Sequence, residues 1–136
     1  MKRILALDYG DKKIGVAVSD PMHIIAKPLK VIFNSKKVVD ELIKIINEFH
    51  IEKIVVGLPI TLKNKKSIQT EKTIKFIEMI RKDLEIPIIE YDERLTSQMA
   101  IQSLILQGVK TGHNKTEIDK TAAAIFLQNY LDDPTK

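Results

Sequence analysis

Arg3-Ile4-Leu5-Ala6-Leu7-Asp8-Tyr9-Gly10 is an apolar run that ends in an acid and a glycine turn. Four consecutive aliphatic residues predict a strand buried on both faces. Period-two alternation sets Ile4, Ala6 and Asp8 on one face and Leu5 and Leu7 on the other. A carboxylate at the end of such a strand is costly unless it is hydrogen-bonded, paired with a cation or bound to metal. Asp8 therefore needs a partner, and the bland one is the turn itself, through an Asx-type bond near Gly10.

Reading outward, residues 14–20 form a second strand, joined to the first by the hairpin-length connection Gly10-Asp11-Lys12-Lys13. A third strand over residues 25–33 carries Pro28, which suits an edge position. Ser35 is the expected N-cap of a helix whose Val38, Val39, Leu42, Ile43, Ile45, Ile46 and Phe49 share one broad face. Lys53 to Gly57 is then a short buried strand, and helix plus strand make a parallel crossover. A second helix follows the rhythm Ile74, Ile77, Ile80, Arg81, Leu84, and Pro87 to Tyr91 is the last strand. Asp92 opens a third helix reaching about Leu106, residues 107–115 form a loop, and a final helix runs from about Thr116 to Tyr130. Three antiparallel strands followed by two parallel helix-strand units predict an RNase H-like α/β domain, with a mixed five-stranded sheet flanked by helices. In such sheets the ligand crevice lies at the carboxyl ends of the strands, where Asp8, Gly57 and Asp92 stand.

With 136 residues, 44% hydrophobic and 29% charged, the chain suits one globular domain over residues 1–136 and excludes a disordered or fibrous protein. No stretch approaches the roughly 18 apolar residues of a membrane span, so a cytoplasmic protein without membrane attachment is expected. The absence of cysteine excludes disulfides and thiolate zinc sites. A net charge of +4 favours a polyanionic partner modestly. Arg3, Arg81 and Arg94 are the only arginines among 22 basic residues, and one of them stands beside Glu93. Its planar fork suits a carboxylate or a phosphate. Aromatics are 5% of the chain and do not interleave with basic residues, which favours sugar-phosphate contacts over base stacking.

Three acids stand out: Asp8, Glu93 after the last strand, and Asp119 near the start of the final helix. Carboxylates gathered from distant segments repel unless a cation neutralises them, and hard oxygen donors select Mg²⁺ or Mn²⁺. Two such ions about 4 Å apart can activate water and stabilise the leaving oxygen of a phosphodiester. Each acid also has an ordinary explanation. Glu93 could pair with Arg94 at the surface, and Asp119 could complete a capping box begun by Thr116. Lys63, Lys65 and Lys66 in one loop, and Lys110, His113 and Lys115 in another, border the expected crevice and could hold phosphates or simply be solvated.

Four motifs in this order resemble the YqgF-type family of pre-16S rRNA nucleases, also described as Holliday-junction-resolvase-like. They are Asp8-Tyr9-Gly10 with Ile14-Gly15-Val16-Ala17-Val18-Ser19-Asp20, then Gly57-Leu58-Pro59, then Asp92-Glu93-Arg94-Leu95-Thr96-Ser97, and Asp119-Lys120-Thr121-Ala122-Ala123. The resemblance implies an RNase H-like, divalent-metal nuclease that matures the 5′ end of small-subunit ribosomal RNA. Its substrate would be precursor ribosomal RNA, in precursor particles, or branched DNA, and the protein a monomer or weak homodimer. By carry-over, Asp8, Glu93 and Asp119 would bind metal, with Arg94 and Thr96 supporting the loop or the phosphate. Lys13 stands where the family commonly has arginine, keeping the charge without the fork, and Asn64 where it commonly has glycine. A binding module that keeps the fold without turnover is the competing reading. An actin-like ATPase is disfavoured, because the chain has no second Asp-x-Gly strand.

Overall fold

The computed structural model describes residues 2–58, 68–92 and 115–133. Strands β1 (Arg3–Asp8), β2 (Lys13–Ser19), β3 (Ala26–Phe33), β4 (Ile51–Leu58) and β5 (Ile88–Asp92) form one sheet in the order β3-β2-β1-β4-β5. β1 pairs antiparallel with β2, and β2 with β3, whereas β1, β4 and β5 are parallel. This is the expected mixed sheet, with β3 and its Pro28 at an edge. Helices α1 (Val38–Phe49) and α2 (Ile68–Asp83) make the crossovers, and α3 (Lys115–Asp132) follows.

The alternation of β1 sorts the core into two layers. Leu5 and Leu7 join Ile14, Val16, Ile54 and Val56 beneath Val38 and Leu42 of α1 and Ile77 and Ile80 of α2. Ile4 and Ala6 join Ala17 and Val55 beneath Ala123, Phe126, Leu127 and Tyr130 of α3. Each fully buried Leu or Ile contributes about 1.5–3 kcal/mol of transfer free energy, so the central strand is fixed from both sides. Asp8 is half-buried on the α3 side of that strand.

Several local expectations are corrected. Ser35 does not cap α1: Lys37 occupies the cap position without a side-chain bond, while Ser35 Oγ accepts from the Lys37 N–H at 3.2 Å and its carbonyl accepts from the Val38 N–H at 3.1 Å. Ser35 thus shapes the turn before the helix. Ile43, expected on the apolar face, is 40% exposed. The strand expected at Lys53 begins at Ile51, because His50 takes a left-handed conformation (φ 55°) that ends α1 and lets β4 start at once. Arg81 is not part of the α2 core row; its guanidinium donates to the Ile88 carbonyl at 2.7 Å and fastens α2 to β5. Asp92 is the last residue of β5, paired with Leu58, rather than the first of a helix. The helix expected up to Leu106 lies outside the described residues.

Candidate active site

Because β1, β4 and β5 are parallel, Asp8, Leu58 and Asp92 arrive at the same edge of the sheet. The run of β3 ends there too, since Phe33 is opposite Lys13. Across the sheet Asp8 faces Gly15, a position with no side chain to fill the space beside the carboxylate. Lys13 lies two residues further along β2, on the same face by alternation, and is exposed.

The turn after Asp8 is built to hold its shape. A Cβ on Gly10 would come within 2.5 Å of the Lys13 carbonyl oxygen, so only glycine lets the backbone pass. Asn34 secures the same turn from β3: its side-chain amide donates to the carbonyls of Gly10 at 2.9 Å and Asp11 at 3.3 Å, and its N–H donates to Lys12 at 2.8 Å. Asn34 has no local sequence signal, because these partners lie more than twenty residues away in the chain.

α3 runs antiparallel to β1. Its carboxyl end lies at the opposite edge, where Gln128 accepts from the Ala26 N–H at 2.9 Å and the Lys53 ammonium stands 5.5 Å from the Tyr130 ring centre. From Tyr130 back to Asp119 the helix rises about 16 Å. From Ile4, which pairs with Lys53, to Asp8 the strand rises roughly 13 Å. The Asp119 end of α3 therefore runs toward the Asp8 edge. Since α3 begins at Lys115, Thr116 is inside the first turn rather than at the cap, and Lys115 is helical rather than in a loop.

Of the expected site residues, Asp8 and Lys13 are brought to one edge, the edge toward which the Lys115 end of α3 runs. Glu93, Arg94, Thr96, Lys65 and Lys66 lie outside the described residues, as do the side chains of Lys115 and Asp119. Among the described residues no group of three or more histidine, aspartate or glutamate side chains could hold a metal ion. Asp20, at the other edge, is held by its own turn. It accepts from the backbone N–H groups of Met22 at 3.1 Å and of Ile24 and Ile25 at 2.7 Å each. These bonds, that from Ile25 foremost, hold its carboxyl below the usual value. Its neighbour Ser19 accepts from the Ile4 N–H at 2.8 Å. The Ser19-Asp20 motif is thus a structural clasp.

A family model described as RuvX, a Holliday junction resolvase, matches residues 2–133. The chain belongs to the RuvX family. RuvX relatives include a protein of Desulforamulus reducens, 43% identical over 136 residues that cover 98% of this chain and 99% of the relative, named "Putative pre-16S rRNA nuclease". One from Sulfurihydrogenibium sp. with the same name is 43% identical, covering 97% of this chain and 91% of its own. Among solved structures, Thermus thermophilus RuvC in complex with a Holliday junction substrate superposes with a TM-score of 0.57 at 12% identity, over 97% of each chain. The fowlpox virus resolvase with junction DNA gives 0.55 at 15% identity, over 98% of this chain and 99% of that one. These likenesses show the fold, which is RNase H-like as expected. No helix among the described residues of this RuvX chain is long and apolar enough to cross a membrane.

Proposed function

We propose that this RuvX protein is a divalent-metal-dependent nuclease that hydrolyses phosphodiester bonds and processes the 5′ end of pre-16S rRNA in the cytoplasm. The observation that carries the reading is the half-buried Asp8 at the carboxyl edge of the central strand. There β5 also ends, one residue before Glu93, and the Asp119 end of α3 runs toward it. The donor set Asp8, Glu93 and Asp119 fits Mg²⁺ or Mn²⁺, because all donors are hard carboxylate oxygens. Bound by these acids, the metal would supply positive charge against the negative charge that develops on the reacting phosphate.

The chain's own part is to position the substrate. The exposed Lys13 ammonium reaches a non-bridging phosphate oxygen as a point charge, and Arg94, Thr96, Lys65, Lys66 and Lys115 serve the strand beside it. The turn that Gly10 and Asn34 hold keeps the Asp8 carboxylate in one place while the substrate is seated. The substrate is read through backbone and shape rather than base sequence, so precursor rRNA and a branched DNA junction are the two polymers to compare.

The test is cleavage of a labelled precursor rRNA 5′ leader and of a four-way DNA junction, with Mg²⁺, Mn²⁺ or chelator, by wild type and Asp8→Asn. Metal-dependent cutting of the leader by wild type alone is expected. Wild type that cuts neither polymer with any metal, or a variant that cuts as well, removes the reading.

A further inference from the structure

One residue past Asp8, on the opposite side of the sheet, lies a groove of about 430 Å³. Its floor is aromatic: the rings of Tyr9 and Phe76 meet at 4.8 Å between centres. Asn34, already spent on the β1–β2 turn, forms one wall, Lys36 stands before α1, and Lys72 and Lys75 come from the amino-terminal half of α2. All these elements meet at the Asp8 edge, because β3 ends there and α2 follows β4. Among the described residues the lining carries three ammonium groups and no carboxylate. Lys72 pairs with Asp11 at 3.3 Å, both groups being about half exposed, so the pair is weak and open to exchange with a stronger anion. Lys36 and Lys75 form no ion pair with any described residue. Lysines at this density around an apolar floor repel one another unless an anion lies between them.

We propose that this groove carries the sugar-phosphate backbone of the nucleic-acid strand that flanks the cleaved bond, with Lys36 and Lys75 neutralising phosphates and the Tyr9 and Phe76 rings contacting sugar. The assignment rests on the nuclease reading, since continuity with the Asp8 edge is what makes the occupant a polymer. A strand crossing that edge passes from the α3 side, where Asp8 stands, to the α1–α2 side within one residue of the turn. Substrate is thereby held on both sides of the scissile position, which fixes its direction as well as its place.

The test measures binding, not cleavage. Fluorescence anisotropy of a labelled single-stranded RNA oligonucleotide, and of its DNA counterpart, is followed in chelator from about 50 to 200 mM salt, where each phosphate neutralised contributes about 0.7 to the slope of log K against log salt. The full chain carrying Lys36→Gln and Lys75→Gln is expected to lose about 1.4 of that slope, so that its deficit against wild type shrinks about sevenfold over this range. Each single variant should lose about half, and Lys36→Arg with Lys75→Arg should restore it. Lys2→Gln with Lys27→Gln, at the far edge, serves as the charge-matched control. A slope unchanged in the groove variant on both polymers, or lowered equally in the control, overturns the assignment. Failure of the nuclease reading is told apart by Asp8→Asn: full activity there sinks that reading while the slopes still judge the groove.

Discussion

Two aspartates close strands of this sheet at opposite edges, and their surroundings differ. Asp20 follows β2 and spends both carboxylate oxygens on three backbone N–H groups of its own turn. Around it the polar groups satisfy one another: Ser19 bonds Ile4, and His23 Nε2 lies 2.8 Å from the Lys2 carbonyl and 3.1 Å from Glu52. Both neighbours of that nitrogen are acceptors, so it carries the hydrogen. At the Asp8 edge the turn is held by Asn34 from another strand, and Lys13, Lys36 and Lys75 lie unpaired among the described residues. Among the described residues, one edge pairs its polar groups with one another and the other carries lysines without an ion-pair partner.

The sharpest way to break this contrast is to exchange the two acids for amides. Asp8→Asn should leave the melting temperature close to wild type and lower metal-dependent cleavage by more than about 100-fold. Loss of a group that merely supports a metal ligand already costs 10–100-fold. Asp20→Asn should do the reverse, lowering the melting temperature while the folded fraction cuts at the wild-type rate. Equal loss of cleavage in both variants would mean that the two edges do not divide function from structure.

The next effect concerns the turn that follows Asp8. Gly10→Ala places a methyl group 2.5 Å from the Lys13 carbonyl, which is backbone and can yield only by moving the turn. A loss of about 1–3 kcal/mol in denaturant unfolding is expected, with slower cleavage by the remaining folded enzyme. Asn34→Ala follows at about 1 kcal/mol, since it removes two side-chain donors from a partly exposed turn. If Asn34→Ala left both stability and cleavage unaltered, the tether from β3 would not be what holds the Asp8 edge in shape.

These two residues also show where sequence reading reached and where it stopped. The strand directions, the two-sided burial of β1 and the edge place of β3 were legible, because alternation, glycine turns and Pro28 are local signals. Gly10 belonged to a readable motif, although its reason, the Lys13 carbonyl, is a contact of folding. Asn34 was not legible at all: its bonds span 24 and 23 residues. The stop at His50 was missed because a left-handed histidine leaves no mark where glycine would. Asp20 sat inside a family motif, and only its three bonds reveal that its part in that motif is structural. For the proposed site, Asp8 and Lys13 were legible as candidates, while the lysines of the groove come from two segments that only the topology joins.

The smallest effect, and the most diagnostic of the Asp20 edge, is its pH dependence. Hydrogen bonds from Ile25, Ile24 and Met22 favour the carboxylate, so the folded-state value lies below the ordinary 3.8. A group whose folded value is depressed contributes stability above its unfolded value and loses it as pH falls through the folded one. The advantage of wild type over Asp20→Asn should therefore be constant at neutral pH and begin to narrow only below pH 3.8, as the wild-type carboxyl takes up its proton. Denaturant midpoints of the two proteins, measured side by side through that range, give the gap directly. A gap that stayed the same to the lowest pH would assign the clasp to shape alone. Asp8→Asn, followed in chelator through the same pH range, supplies the comparison at the other edge.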